Sequence, residues 1–134
     1  IEQNLALINR TFASDRLEEI TSALEADGSD WAETERVTLG RKSPLSCKVS
    51  LRLLAEGSER ASFEDEMRAE YALASRVART HDFIEGVRAL LIDKDNNPVW
   101  QPATPEEVSD SMLDDLFAPL PDGEQWQPFA ESGQ

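Results

Sequence analysis

Cys47, His81 and Asp82 are the side chains of this 134-residue sequence that could do covalent chemistry. A thiol, an imidazole and a carboxylate would suit thioester hydrolysis if a fold brought them together. Each also has a structural explanation. Cys47 falls on the apolar face of a helical pattern, and His81 and Asp82 stand at a helix start, where both side chains can bond the local backbone. Carboxylates are so numerous that acid and base pairs, such as Glu66 with Glu70 or Asp114 with Asp115, can be drawn almost anywhere. Most of them lie opposite apolar stripes, where solvation accounts for them. The glycines, at 28, 40, 57, 86, 123 and 133, are too scattered to cradle a phosphate or an oxyanion, and GxGxxG, Walker and GxSxG patterns are absent. One cysteine and one histidine also exclude an internal disulfide and the two-cysteine zinc patterns. The expectation is a chain with no catalytic residues and no metal ligands of its own.

Thirteen Lys plus Arg against 27 Asp plus Glu give a formal charge of −14. Such a chain repels phosphate backbones and anionic bilayers, so neither nucleic acid nor membrane is expected as a partner. Its one basic cluster, Arg41, Lys42, Lys48 and Arg52, reads as a solvated face. No apolar run approaches the roughly 20 residues that cross a bilayer.

The elements that must position these residues are all helical. Ile1, Leu5, Ile8 and Phe12 keep helical spacing from the first residue onward, as though the sequence begins inside a structured element. Leu17, Ile20 and Leu24 follow, with Asp15 and Glu18 spaced as a capping box and Gly28 placed to end the helix. Trp31 to Leu39 forms another helix after Ser29 or Asp30. Ser43-Pro44 opens one that runs to about Glu56, with Leu45, Val49 and Leu53 on one stripe and Cys47, Leu51 and Leu54 extending it. Ser62 and Asp65 open the longest helix, whose apolar face is Phe63, Met67, Tyr71, Ala74 and Val77 or Ala78. Asp82 and Glu85 repeat the capping pattern ahead of an apolar face of Phe83, Val87, Leu90, Leu91 and Ile92. Asp95-Asn96-Asn97-Pro98 breaks that helix, and a last one spans Pro105 through Phe117. The division is residues 1–118, a helical region, and 119–134, a proline-rich acidic extended tail. Trp31, Trp100 and Trp126 pin their segments to neighbouring surfaces.

Two stretches carry a family resemblance. Residues 42–52, Lys-Ser-Pro-Leu-Ser-Cys-Lys-Val-Ser-Leu-Arg, resemble the K-S-P-x-S-x-K-x-x-L-R helix of the 3-hydroxyisobutyryl-CoA hydrolases, a branch of the crotonase superfamily. Residues 81–95, His-Asp-Phe-Ile-Glu-Gly-Val-Arg-Ala-Leu-Leu-Ile-Asp-Lys-Asp, closed by Pro98 and Trp100, are similar to that branch's H-D-F-x-E-G-V-R-A-x-L-I-D-K-D...P-x-W segment. Classical enoyl-CoA hydratases carry E-K-R where this chain has Ile92-Asp93-Lys94-Asp95.

The resemblance implies an all-α segment that is the helical C-terminal portion of a crotonase-like enzyme with an α/β spiral core. It also implies cleavage of the 3-hydroxyisobutyryl-CoA thioester in valine breakdown, with the oxyanion amides and acids in the preceding core. The partners implied are that N-terminal core, which the segment packs on while helping to cover the acyl-CoA site, the acyl-CoA substrate, and a second subunit in a homo-oligomer. Coenzyme A enters as part of the substrate, no cofactor is bound covalently, and this chain alone is inactive. Lys94, near the end of its helix, and Arg88 on the same helix are the candidate contacts to a CoA phosphate. The compartment is cytoplasm in a bacterium or mitochondrial matrix in a eukaryote. Two other readings stay open: an enoyl-CoA hydratase or isomerase of the same superfamily, and a non-catalytic helical assembly module.

Overall fold

The computed structural model describes residues 2–127. Seven α-helices follow one another: α1 (Leu5–Thr11), α2 (Leu17–Asp27), α3 (Asp30–Gly40), α4 (Pro44–Gly57), α5 (Phe63–Val77), α6 (His81–Val87) and α7 (Asp110–Phe117). A 3-10 turn at Glu2–Asn4 leads into α1, a π-helical turn at Arg88–Ile92 continues α6, and 3-10 turns stand at Pro105–Glu107 and Asp122–Glu124. There is no strand among the described residues. The expectations for Ile1 and for the last seven residues of the 119–134 tail lie outside them.

Serine caps do much of the local work. Ser29, Ser43, Ser62 and Ser109 accept the amides of Ala32, Ser46, Asp65 and Met112 at the starts of α3, α4, α5 and α7. Each satisfies an amide that the first turn leaves without an intrahelical partner. Gly28 closes α2 with φ +65, a left-handed conformation that costs a glycine nothing. Two expected caps differ. At α2 the cap position is Arg16, one residue past Asp15 and without a side-chain bond, and Glu18 pairs with Lys48 of α4. At α6 the cap is Thr80, whose hydroxyl accepts the Phe83 amide, because Asp82 is drawn into the interior. The single helix expected over 105–117 is split at Val108, whose extended backbone separates the 3-10 turn from α7.

α4 is the central helix. On one side Leu45, Val49 and Leu53 pack with Leu73 and Val77 of α5, Val108, and Leu113, Leu116 and Phe117 of α7. On the other, Leu51 meets Ile20 and Leu24 of α2 and Ala32 of α3. Two-sided burial of α4 was the sequence expectation. The basic cluster differs from it: Lys48 Nζ reaches Glu18 at 2.5 Å and the Val108 carbonyl at 3.4 Å. Arg52 binds Asp114 at 2.7 Å and lies over the Phe117 ring, 4.5 Å from its centroid. These two cations brace α2 and α7 against α4, and are not merely a solvated face.

α5 departs furthest from the expected pattern. Ala72 and Leu73 are buried, while Tyr71, Ala74 and Ala78 face outward and Phe63 is 79% exposed. The sequence carries two apolar stripes on this helix, and α7 covers the one containing Leu73 and Val77. Arg76 holds the chain after α7 on that side through the Ala118 and Pro119 carbonyls, at 3.2 and 3.0 Å. Residues 117–126, with Trp126, lie along α5 beside Ala69 and Ala72. Apart from half-buried Met67, the rest of the expected face is left exposed at Phe63, Tyr71, Ala74 and Ala78. The same holds on α6 and its π turn, where Phe83, Ile84, Leu90, Leu91 and Ile92 are exposed.

Leu24, 1% exposed between α2 and α3, is a direct check on this packing. Leu24→Ala is expected to lower unfolding free energy in urea by about 3 kcal/mol, whereas truncation of exposed Leu91 in the isolated chain changes it by less than about 0.5 kcal/mol.

Candidate functional site

The stretch beginning His81-Asp82 builds one arrangement, a clamp on the chain that returns past α6 at residues 97–101. The positions 81, 82, 85, 86 and 88 share one side of the helix at 100° per residue. Each meets the returning segment. His81 Nε2 donates to the Val99 carbonyl at 3.0 Å; since a carbonyl only accepts, this nitrogen carries the proton. Asp82 Oδ1 accepts the Gln101 amide at 2.7 Å, and Glu85 Oε1 accepts the Val99 amide at 2.9 Å. The Trp100 ring lies over Gly86, and its indole donates to the Arg41 carbonyl at 3.0 Å. Arg88 Nη2 reaches the Asn97 carbonyl at 3.3 Å.

Asp82 is the deepest member, 3% exposed. Its second oxygen accepts from the Ser43 hydroxyl, which also accepts the Ser46 amide as the cap of α4. One carboxylate thus joins the start of the central helix, the start of α6 and the returning segment. The sequence shows Ser43 and Asp82 as two caps; a hydrogen bond spanning 39 residues had no local signal.

Arg88 is surrounded by acids. Its guanidinium forms a two-bond pair with Glu85 at 2.8 Å, and binds Asp93 at 2.7 Å and Asp95 at 2.6 Å. Arg88 holds the Glu85 carboxyl down to about 2, with help from the Val99 amide, and its own pKa is raised in turn. Asp95 is lowered by Arg88 and by the Asn97 amide. The geometry therefore gives Arg88 a different task from the expected phosphate contact: its donors already serve three carboxylates and a carbonyl. Lys94 sits between the two bound aspartates at φ +56, with Asn96 at φ +53 beside it. Lys94 is exposed, and its ammonium makes no ion pair among the described residues.

The candidate nucleophilic set is not assembled. His81 and Asp82 are engaged in the clamp. Cys47 is half-buried on α4, facing an apolar groove of about 350 Å³ lined by Phe12, Leu17, Ile20, Leu39 and Leu51. Burial pushes its thiol pKa up, against a smaller opposing pull from Lys42, which is the wrong direction for a thiolate nucleophile. No group of three or more potential metal ligands occurs among the described residues. No helix of the described chain is long and apolar enough to cross a membrane. The arrangement around His81 and Asp82 holds the returning chain in place.

Two outcomes follow from the clamp. Glu85 has its folded pKa below the ordinary 4.5, so its pairing stabilises the fold fully above that value and is lost as pH falls toward about 2. The gap in denaturation midpoint between wild type and Arg88→Gln is expected to be constant above pH 5 and to narrow as pH falls toward 2. At Gly86 an added Cβ would meet the Trp100 ring at 3.5 Å, an ordinary contact. Gly86→Ala should therefore raise stability by up to about 1 kcal/mol, measured by thermal unfolding; a loss would show that the ring sits closer.

Comparison with known proteins places this arrangement. The profile of Enoyl-CoA hydratase/isomerase matches residues 1–117. The chain is 43% identical over 120 residues to the 3-hydroxyisobutyryl-CoA hydrolase, mitochondrial, of Gallus gallus, covering 90% of this chain and 31% of that protein. Among solved structures, it resembles a carnitinyl-CoA dehydratase from Mycobacterium thermoresistibile with a TM-score of 0.82 and 29% identity, covering 89% of this chain and 34% of that one. It resembles an enoyl-CoA hydratase from Rhodobacter sphaeroides with a TM-score of 0.80 and 34% identity, covering 89% and 35%. The chain thus spans about a third of the length of the relatives it matches. Its helices are a helical portion of the crotonase fold, and the chain belongs to the enoyl-CoA hydratase/isomerase family.

Proposed function

We propose that this chain is the helical C-terminal part of a CoA-thioester hydrolase acting on 3-hydroxyisobutyryl-CoA in valine breakdown. The observation that carries the reading is the 43% identity to a named 3-hydroxyisobutyryl-CoA hydrolase across 90% of the chain. The identity to the solved hydratase is 34%. Hydration or isomerisation of an enoyl-CoA is accordingly the less supported reaction, and a non-catalytic assembly role is less supported still.

In this reading the reacting groups belong to the crotonase core, and the helices pack on that core and help cover the acyl-CoA site. Covering excludes water and keeps the local dielectric low, which strengthens whatever donors stabilise the oxyanion. Coenzyme A is carried by the substrate, and no cofactor is bound covalently. The enzyme works in the mitochondrial matrix of a eukaryote or the cytoplasm of a bacterium. Lys94 is the contact to a CoA phosphate, with Arg88 supporting the loop that carries it. That contact is weak, because Glu85, Asp93 and Asp95 outnumber Arg88 and Lys94 around it.

The test is thioester cleavage by the full-length enzyme, followed as free CoA thiol released from 3-hydroxyisobutyryl-CoA. Release is expected from the full-length enzyme and none from the 134-residue chain alone. Hydration of crotonyl-CoA without thioester cleavage would overturn the hydrolase reading, and turnover by the isolated chain would overturn its supporting role. An exposed ion pair is worth about 0.2–1 kcal/mol, so Lys94→Gln is expected to raise KM by roughly 1.4- to fivefold with kcat unchanged.

A further inference from the structure

The apolar groove beside Cys47 is set apart from the rest of the surface by its charge. Phe12, Leu17, Ile20, Leu39, Leu51 and Leu54 form its walls, and Lys42, Ser46 and Ser50 complete the lining around Cys47. In a sequence with 27 Asp plus Glu, no acid lines this groove, and the charge at it is the Lys42 ammonium. Lys42 is exposed and takes part in no ion pair among the described residues. Its charge reaches the groove wall, since it pulls against the burial that raises the Cys47 thiol. The turn that carries it is fixed on both sides. The Arg41 carbonyl accepts the Trp100 indole at 3.0 Å, the Lys42 amide donates to the Leu39 carbonyl at 2.9 Å, and the Ser43 hydroxyl donates to the buried Asp82 carboxylate. The grip of α6 on the returning chain therefore also sets a cation beside an apolar groove.

We infer that this groove binds a fatty carboxylate, with the aliphatic chain lying along Leu39, Leu51 and Leu54 and the carboxylate at Lys42. The groove, of about 350 Å³, lies within the range of small-ligand sites and has their composition, apolar walls with a few polar groups that fix orientation. An unbranched chain suits it, because each buried methylene adds to affinity and none needs a hydrogen-bond partner that these walls lack. Charge selects the head group. Elsewhere the acidic surface repels anions, but at this groove the nearest charge is positive and has no carboxylate of its own chain to satisfy it. A cationic head would be repelled by Lys42, and a neutral one would gain nothing from it. The fixed turn lowers the ordering cost of the head-group contact, since the backbone that presents Lys42 is already in place.

The test uses the full-length enzyme and a decanoate carrying a photoreactive diazirine at its far end, followed by peptide mapping after irradiation. Label is expected on Leu39 or on the stretch from Leu51 to Leu54, and unlabelled decanoate is expected to compete it away. Octanoate should compete roughly tenfold less well, having two methylenes fewer, and decanol at least threefold less well than decanoate. Lys42→Glu, at an exposed position, is expected to raise the half-saturating probe concentration roughly threefold or more. Ser50→Phe, also at an exposed position, fills the groove and should remove the label. Label confined to other parts of the chain, as when another segment occupies the groove, would overturn the inference. So would decanol competing as well as decanoate, or labelling that neither substitution changes. Thioester cleavage enters none of these readouts, so the result stands apart from the proposed reaction.

Discussion

The buried carboxylate of Asp82 is the constraint on which the arrangement around α6 depends. It has no cation beside it and is satisfied by a hydroxyl and an amide, from Ser43 and Gln101. A carboxylate out of water must find such partners, because leaving one unpaired costs several kcal/mol. Ser43 can serve only where the α3–α4 turn places it, and Gln101 only if the chain reverses after the π turn. One group's need for hydrogen bonds therefore sets the position of three segments. Arg88 completes the same reversal from its far end, by gathering Glu85, Asp93 and Asp95 and thereby holding the loop that contains Lys94.

The consequence is a division of labour on one short helix. Polar residues and Gly86 grip the returning chain, and the apolar residues between them are left facing outward. Where a surface helix of a free-standing domain would turn its large apolar residues inward, α6 does the opposite. The buried interior is correspondingly thin: two clusters meet at α4, one with α2 and α3 and the other with α5 and α7. Long-range ion pairs of Lys48 and Arg52 brace these clusters, and Lys48, 15% exposed in its side chain, is the more sheltered of the two. A segment built in this way is braced from within while Phe83, Ile84, Leu90 and Leu91 stay exposed.

Much was legible in the sequence because it depended on neighbours in the chain. Ser43-Pro44 marks the start of α4 by a cap and a residue preset for the first turn, and Ser62 marks α5 by its cap alone. Gly28 ends α2 because only a residue without Cβ takes φ +65 at no cost. The family was visible in the stretch from His81 to Trp100, although what those residues do was not.

Tertiary structure alone decided which apolar stripe goes inside. On α5 the sequence offers the stripe of Phe63 and Tyr71 and the stripe of Leu73 and Val77, and periodicity cannot choose between them, because the choice belongs to the covering partner α7. The same is true of Asp82, whose spacing to Glu85 reads as a cap, yet whose burial comes from contacts 39 and 19 residues away in sequence. It is true again of Arg88, a candidate phosphate contact by sequence and a cation paired with three carboxylates in space. Local rules determine where helices begin and end, since an unpaired amide is answered by the nearest oxygen. Burial and charge pairing are settled by whatever arrives from elsewhere in the chain, and only the folded arrangement specifies that.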